Sequence, residues 1–534
     1  MTFTLHRYIF RELMRVFILA TVALTVMLSL GSIFTNVHEY GVGPAQMMHL
    51  LGYFLPIILT FVLPMAALFS ASLVYGRFAS DNELDACRAS GISMMTLVYP
   101  GFALAVIVSI ANIVLSFHVM PAFVQRAEKS LHADAKQIVF RNIQRKGYYR
   151  GADGGYMLYA DHADMETDTL RGVVIIEIDG LDIEKIITAS SAKVDFISHS
   201  MFNKVQITAR DTYQIDSAGN VVSFELLPVT KEFPPLLGDD VKFKKIGEIK
   251  EIVNDPMLFY PIARGAFDTY NQLTAELLAA DLSSKTADAN ESFYKLFGSP
   301  SIVKIRADDY YVCDDKRVEL SGNIVVIEYK TDTGKLYQTY KCSRAWLGIE
   351  GEDAASTVKL EMYNPRWDRI DGSHGRALRK VIRGLLLGET VTSQSRQFRR
   401  ASTLDAGKLA QASLMDGNPG SVLKGLQSRL KIEIAKMLNE VKAETHSRLV
   451  FGTGCLPLIL IGIGLGIIKK GGHLLSAFGV SSVPAAILIV GIMMGKNIIK
   501  NPGSQAISGV ALMWTGMIIL TVLAIVVYRK LLKH

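Results

Sequence analysis

Residues 449–468 read LVFGTGCLPLILIGIGLGII, a run of 20 residues without a charged side chain. About 20 apolar residues in a helix cross the roughly 30 Å of hydrocarbon in a bilayer. Other uncharged runs occur at Val16–Val37, Gly41–Gly76, Ala89–Gln125, Leu474–Gly495 and Asn501–Tyr528. The sequence therefore predicts six transmembrane helices, three on each side of a long polar segment.

The short flanks of these runs differ in charge, and the difference predicts an orientation. Basic residues collect on one set of flanks, at Arg7, Arg11, Arg15, Arg77, Arg88, Lys469, Lys470, Arg529 and Lys530. The loop between the first two runs, residues 38–49, contains neither lysine nor arginine. Because basic loops stay in the cytoplasm, we expect both termini and the loops at 77–90 and 469–473 to be cytoplasmic. The long polar segment is then extracytoplasmic.

That segment alternates apolar and polar residues, the period of a strand with one buried face. The alternation runs through Gly172–Asp179, Lys185–Phe196, Lys204–Asp216, Asn220–Thr230, Asp309–Lys341 and Val358–Met362. It predicts antiparallel strands in a sandwich or open barrel. Gly265–Phe297 is typical of a helix, and Gly375–Gly417 is basic and polar. We expect these two stretches to add helical and irregular segments to the β domain.

The resulting fold class is membrane α + β, with six helices in two groups of three around an inserted β domain. The predicted boundaries are 1–125 for the first three helices, 126–440 for the β-rich domain and 441–534 for the last three. Four cysteines are too few for a disulfide framework. Cys313 and Cys342 suit either a bridge in an extracytoplasmic domain or two inert thiols.

The sequence lacks motifs for catalysis. None of its Gly-Lys pairs is followed by the Ser or Thr that completes a phosphate-binding loop, so ATP hydrolysis requires a separate protein. No metal-binding or nucleophile motif occurs, and no uncharged run holds an acidic residue suited to a proton pump. We predict a non-catalytic protein without a cofactor. No basic stretch is interleaved with aromatic residues, which argues against nucleic acid as a partner.

The loop Tyr75–Gly91, YGRFASDNELDACRASG, is predicted to contain a charged helix over residues 80–90. Ser80 and Glu83 have the spacing of a capping box, and Gly91 suits a left-handed helix end. One interpretation is a solvated connector. The other is a coupling helix that docks into a groove of an ATPase. In that case Leu84 is an apolar anchor among the charged contact residues Asp81, Glu83, Asp85 and Arg88.

Two further groups of residues are candidates. Basic side chains at the outer ends of the spans form a predicted ring for anionic lipid headgroups: Arg126, Lys129, His446, Arg448, Lys496 and Lys500. The alternative is that they extend to ordinary phospholipid headgroups. Gly462 and Gly466 allow close helix contact, either for packing within the chain or at a gate. Pro56 and Pro64 are expected to kink the second span.

These motifs together resemble the LptF/LptG (YjgP/YjgQ) permease family. The two prolines of the second span precede the pattern GR-x-x-x-x-NEL-x-x-x-RASGIS at Gly76–Ser93, and Pro100 follows. Toward the C-terminus the resemblance includes Glu444-x-His446-x-Arg448, Pro457, Gly462–Gly466 and Lys469–Gly472. Ile187–Phe196 is similar to the periplasmic sheet of the family. The resemblance covers about residues 1–125 and 440–534.

The resemblance implies a permease in the bacterial inner membrane with a periplasmic jellyroll. Such permeases pair as a heterodimer, bind a cytoplasmic LptB-like ATPase dimer, extract lipopolysaccharide and pass it to a periplasmic LptC/LptA-like bridge. Glu83 matches the coupling glutamate of the family, and Val16–Val37 and Leu474–Gly495 match its lateral gate. Either the LptF or the LptG role is compatible with the sequence, and the cargo could be a related acylated lipid. The alternative function is a membrane-anchored periplasmic scaffold or signalling protein that transports no lipid.

Overall fold

The computed structural model describes residues 2–40, 44–133, 135–151, 156–179, 182–198, 203–216, 221–233, 240–286, 293–299, 301–313, 316–331, 334–350, 357–369, 371–400, 403–412, 420–468, 474–501 and 506–533. The chain divides into two compact units. The first unit comprises Met1–Lys250 and Met437–His534, and the second comprises Glu251–Lys436.

Long apolar helices form most of the first unit. The helices of the chain are α1 (Thr2–Tyr40), α2 (Pro44–Ser80), α3 (Glu83–Ala89), α4 (Met94–Val114), α5 (Met120–Ala133), α6 (Ala135–Lys146), α7 (Ile246–Asn254), α8 (Tyr260–Thr286), α9 (Glu389–Arg396), α10 (Ala406–Leu409), α11 (Ser421–Ile468), α12 (Leu474–Lys500) and α13 (Ala506–Lys533). A π-helical turn at Leu115–Val119 joins α4 to α5. Within the described ranges, six helical segments are long and apolar enough to cross a membrane. The six predicted spans are thus confirmed.

Pro64 of α2 and Pro100 of α4 each leave a carbonyl group without an intrahelical donor, and side chains of other helices supply the missing hydrogen bonds. Pro64 lies four residues after Thr60, whose carbonyl accepts a hydrogen bond from Asn112 Nδ2 of α4 at 2.7 Å. Pro100 of α4 stands in the same relation to Thr96, whose carbonyl lies 3.0 Å from the Nε2 atom of His6 in α1.

Tyr75 of α2 provides a second contact at the Pro100 site. Its hydroxyl donates to the carbonyl of Leu97 at 2.9 Å and accepts from the amide of Gly101 at 3.2 Å. The hydroxyl therefore lies between a donor and an acceptor four residues apart, in the place of an ordinary helical hydrogen bond. The interior of the bundle is consequently cross-linked by side-chain-to-backbone hydrogen bonds.

Glycines bring α2 and α11 close together. A Cβ atom on Gly466 would lie 2.8 Å from the carbonyl oxygen of Ser72 and 3.2 Å from the amide nitrogen of Gly76. A Cβ atom on Gly462 would lie 2.7 Å from the Cδ1 atom of Leu68. Because backbone atoms cannot move aside as side chains do, the Gly466 contact fixes the separation of the two helices.

The first unit also contains a six-stranded antiparallel sheet. Its strands are β1 (Tyr148–Arg150), β2 (Tyr156–Asp164), β3 (Thr169–Asp179), β4 (Asp182–Ser198), β5 (Asn203–Asp216) and β6 (Val221–Phe233). Each strand pairs with the next along the chain, so the sheet is a meander. Its buried face packs on Val139, Phe140 and Ile143 of α6. The alternating pattern thus predicted β3 to β6, with one face apolar and packed, but not β1 and β2.

The second unit contains a nine-stranded sheet and a two-stranded one. The strands are β7 (Tyr294–Gly298), β8 (Ser301–Arg306), β9 (Asp309–Val312), β10 (Arg317–Lys330), β11 (Leu336–Glu350), β12 (Thr357–Tyr363), β13 (Arg366–Arg369), β14 (His374–Arg376), β15 (Arg379–Leu386), β16 (Arg399–Arg400) and β17 (Thr403–Leu404). The larger sheet has the order β14-β13-β11-β12-β15-β7-β8-β10-β9, with an additional pairing of β10 to β11. That pairing closes a ring of strands, as expected for a barrel.

Two stretches of the second unit differ from prediction. The helix expected at Gly265–Phe297 ends at Thr286, and Tyr294–Gly298 forms a strand. Gly375–Gly417, predicted to be irregular, contains all of β15, the short strands β16 and β17 and the short helices α9 and α10, while residues 401–402 and 413–419 lie outside the described residues. Basic side chains obscured the strand, because Arg379 and Arg383 occupy its exposed positions.

The two candidate bridge cysteines of the second unit are not joined by a disulfide. Cys313 and Cys342 both have partly buried side chains. Burial raises the pKa of the Cys342 thiol to about 11, so it is protonated at neutral pH. A protonated thiol is a weak nucleophile.

The glycine contact generates a stability prediction. Gly466→Ala forces backbone atoms of α2 and α11 apart, and we expect it to cost about 1–3 kcal/mol, as other overpacked sites do. The thermal midpoint of the purified protein in detergent should fall by several degrees. Gly491→Ala in α12 is the matched control, because a Cβ atom there has no neighbour within 4 Å. Equal midpoints for the two variants would contradict this account of α2–α11 packing.

Candidate functional site

The loop singled out at residues 80–90 contains a helix of seven residues, α3. It begins later than predicted because α2 continues through Ser80. Asn82 precedes α3 with φ of 59° and no side-chain cap, and Ser80 Oγ donates to a carbonyl of α2 at 3.1 Å. The predicted capping box is therefore wrong. Gly91 has φ of +84°, the left-handed conformation expected at this helix end.

The side chains of α3 divide between the bundle and the solvent. Leu84 is 3% exposed and packs in a buried cluster with residues of α1, α2 and α4. Glu83, Asp81 and Arg88 are exposed, and Asp85 is half-buried. Leu84 was predicted to anchor a partner protein, but its burial shows that it fastens α3 to its own bundle. The surface of α3 open to a partner is acidic and carries Glu83.

The N-terminal turns of α1 contact the end of α2, which the sequence interpretation missed. The Tyr8 ring stacks on Phe78 with centroids 5.7 Å apart. Glu12 Oε2 accepts from Arg77 Nη2 at 3.2 Å. A signal was present, because Glu12 is the only acidic residue before position 39.

A cavity of about 250 Å³ lies beside α3. Its walls are apolar on the side of α4 and α11, where Met94 and Ile467 line it. Charged side chains of α3 and α13 complete the lining at Asp85, Arg88 and Lys530. The cavity therefore lies next to α3 and combines apolar and charged walls.

Arg448 lies at the centre of a buried polar network and is 4% exposed. It donates to Glu444 Oε1 at 3.4 Å and to the carbonyl of Lys242 at 2.6 Å. Its guanidinium also lies 5.4 Å from the ring centre of Phe117, in the π-helical turn. The other oxygen of Glu444 accepts from Lys496 Nζ of α12 at 2.6 Å. One carboxylate thus joins α11 to α12, and Arg448 holds the segment that precedes α7.

That segment begins with a capped turn. Asp240 Oδ1 accepts from the amide of Lys242 at 3.0 Å, and its Oδ2 pairs with the Lys242 ammonium at 2.9 Å. Burial alone would raise the pKa of Asp240, but the amide and ammonium of Lys242 hold it below its usual range. The carboxylate therefore stays charged at neutral pH, and the turn presents the Lys242 carbonyl to Arg448.

The other predicted headgroup residues have different surroundings. Arg126 and Lys129 of α5 are exposed, and the Arg126 guanidinium lies 5.4 Å from the ring centre of Phe123. His446 Nδ1 accepts a hydrogen bond from Trp514 Nε1 at 3.3 Å. The predicted ring thus contains two exposed cations on α5, together with side chains on α11 and α12 that already have partners within the chain.

Comparison with known proteins places this arrangement in a family. No curated protein matches the chain. Residues 7–530 match the family described as "Lipopolysaccharide export system permease LptF/LptG". The match extends over nearly the whole chain, including the spans, α3 and both sheets, and agrees with the resemblance seen in the motifs. The chain therefore belongs to the LptF/LptG family of lipopolysaccharide export permeases and is a multi-pass membrane protein.

Proposed function

We propose that the chain is one permease half of an ABC transporter that extracts lipopolysaccharide, or a related acylated lipid, from the bacterial inner membrane. The observation that carries the proposal is the exposed acidic surface of α3, a short helix inserted between two membrane-spanning helices. A simple connector between spans needs only a few residues. An exposed Glu83 on a helix fastened by Leu84 suits docking into a partner.

The partner in this proposal is a cytoplasmic LptB-like ATPase dimer. The permease lacks a phosphate-binding loop, so the free energy of transport has to come from a separate nucleotide-binding protein. Arginine or backbone donors in a groove of the ATPase would bind Glu83 and Asp81 through charge-assisted hydrogen bonds. The basic flanks support a cytoplasmic position for α3, because basic loops stay in the cytoplasm.

The lipid would enter between this chain and a second permease of the same family. In the most apolar window of each span, 17% of the residues of α1, 22% of those of α13 and 33% of those of α12 are buried, compared with 67% of those of α11. Helices with exposed apolar faces contact lipid or another membrane protein. The open sides of α1 and α12 thus suit a lateral gate and a heterodimer interface. The β domain would then pass the lipid to a periplasmic LptC/LptA-like bridge.

The proposed headgroup contacts centre on Arg126 and Lys129. Exposed cations are available to bind lipid phosphates through charge-assisted hydrogen bonds. Arg448 has a different role in this proposal, because its guanidinium is already bound by Glu444 and the Lys242 carbonyl. Its position favours a structural function that keeps the outer ends of the spans together.

The ATPase contact is tested by charge reversal at α3. Glu83→Arg should abolish co-purification of the ATPase, since an arginine there repels the donors that would bind the glutamate. Quantitative mass spectrometry of the complex in mild detergent measures the ratio of the two proteins. Glu225→Arg, the same change at an exposed position of β6, should leave that ratio unaltered. Retention of the ATPase by Glu83→Arg would refute the proposed contact.

The headgroup proposal predicts different effects for substitutions of exposed and of buried cations. Arg126→Glu combined with Lys129→Glu should reduce lipopolysaccharide-stimulated ATP hydrolysis and leave the thermal midpoint unchanged. Arg448→Ala should lower the midpoint, because losing one partner of a buried pair costs about 3–5 kcal/mol. Lys500→Ala is the control for stability, since its pair with Glu440 (3.4 Å) leaves 42% of the lysine side chain exposed. Full lipid stimulation in the α5 double variant would exclude these residues.

A further inference from the structure

The cavity beside α3 lies at the height where two membrane-spanning helices end. Ile468, which lines it, is the last residue of the uncharged run 449–468 in α11. Lys530 of α13 also lines it and comes two residues after the uncharged run Asn501–Tyr528. Because each run has the length that crosses the hydrocarbon, the cavity lies at the boundary between the hydrocarbon and the headgroup layer.

This boundary is on the same side of the membrane as α3. Under the predicted orientation, that side is the cytoplasm. The phosphates of the cytoplasmic leaflet occupy the headgroup layer, just outside the hydrocarbon. This leaflet carries anionic phospholipids, which basic pockets between membrane-spanning helices bind by their headgroups.

The lining of the cavity changes from apolar to charged as it becomes exposed. Leu84 and Leu531 line it and are 3% and 8% exposed. The two cations of the lining, Arg88 of α3 and Lys530 of α13, are both exposed, and Asp85 is half-buried. The lining therefore has a buried apolar part and an outer part with an excess of positive charge. This is the polarity of a phospholipid at the point where its acyl chains meet its phosphate.

The size of the cavity limits what it can hold. Its volume is about 250 Å³, whereas pockets that enclose a whole drug-sized ligand have about 300–1,000 Å³. The cavity is thus too small for a complete phospholipid. It suits the phosphate, the glycerol and the first methylene groups, with the rest of the acyl chains in the bilayer.

We propose that this cavity binds the headgroup of an anionic phospholipid of the cytoplasmic leaflet. Arg88 and Lys530 bind the phosphate through charge-assisted hydrogen bonds. The carboxylate of Asp85 has several acceptor positions and accepts from a hydroxyl of a glycerol headgroup. The bound lipid joins α3 to α13. This site goes beyond the proposed function, and its occupancy does not depend on an ATPase.

The test measures lipid binding to the purified, delipidated full chain by native mass spectrometry. The probes are dioleoyl-phosphatidylglycerol and dioleoyl-phosphatidylcholine, which share their acyl chains and differ in headgroup and net charge. The parent chain should bind phosphatidylglycerol about tenfold more tightly, since each basic residue near an anionic headgroup contributes measurably to binding. Lys530→Glu should abolish this preference.

Two control variants separate the cavity from the surface around it. Arg529→Glu makes the same charge change at the neighbouring exposed position of α13, which does not line the cavity, and should keep the preference. Ile468→Trp fills the cavity without changing its charge and should also abolish the preference. Val526→Trp adds the same bulk at a position of α13 that is 55% exposed and should match the parent. The thermal midpoint of each variant checks that the fold is retained.

Three results would overturn the proposal. Equal binding of the two lipids by the parent chain shows that the cavity does not recognise an anionic headgroup. Equal losses in Lys530→Glu and Arg529→Glu assign the preference to general surface charge. Loss of phosphatidylglycerol in proportion to the ATPase bound assigns the cavity to a side chain of the ATPase. In the third case the proposed function stands, whereas a chain that binds phosphatidylglycerol selectively but no ATPase contradicts the proposed function alone.

Discussion

A carbonyl group that loses its helical partner to a proline within the bilayer needs a donor from the protein itself, because hydrocarbon supplies none. This constraint organises the bundle. The carbonyl of Thr60 is bonded by Asn112, and the carbonyl of Thr96 by His6. Each donor belongs to a different helix from its acceptor. The prolines therefore produce hydrogen bonds between spans, and the position of one span depends on the others.

The same constraint positions α3. Tyr75 lies shortly before α3 and hydrogen-bonds to Leu97 shortly after it, so the two spans that flank α3 are joined at its base. Leu84 is buried within this junction. A partner that binds the exposed Glu83 consequently acts on α2, α3 and α4 together. Three features make α3 a rigid attachment. The helix has only seven residues, Leu84 is buried, and the backbone near Pro100 is hydrogen-bonded by side chains of other helices.

The sequence was a sufficient guide to elements whose pattern is local. Uncharged runs identified six spans, since each run must bury its backbone in lipid, and period-two alternation identified β3 to β6 of the six-stranded sheet. The local sequence pattern gave wrong predictions where contacts with residues distant in the chain decide the structure. Ser80 looked like a cap, but α2 continues past it, and Leu84 looked available although residues of α1 and α4 cover it. Neither the stacking of Tyr8 on Phe78 nor the hydrogen bond of Arg448 to the Lys242 carbonyl has a sequence signature, because their partners are 70 and 206 positions apart.

The π-helical turn at Leu115–Val119 has a consequence for the cations beyond it. Such a turn accommodates one residue more than the α-helical ladder. If the same residues formed a regular α-helical ladder instead, everything downstream would be rotated by nearly the 100° that separates neighbouring residues. Arg126 and Lys129 would then point toward a different neighbour. The direction in which these two side chains point around the helix axis is thus set by one extra residue that lies earlier in the chain.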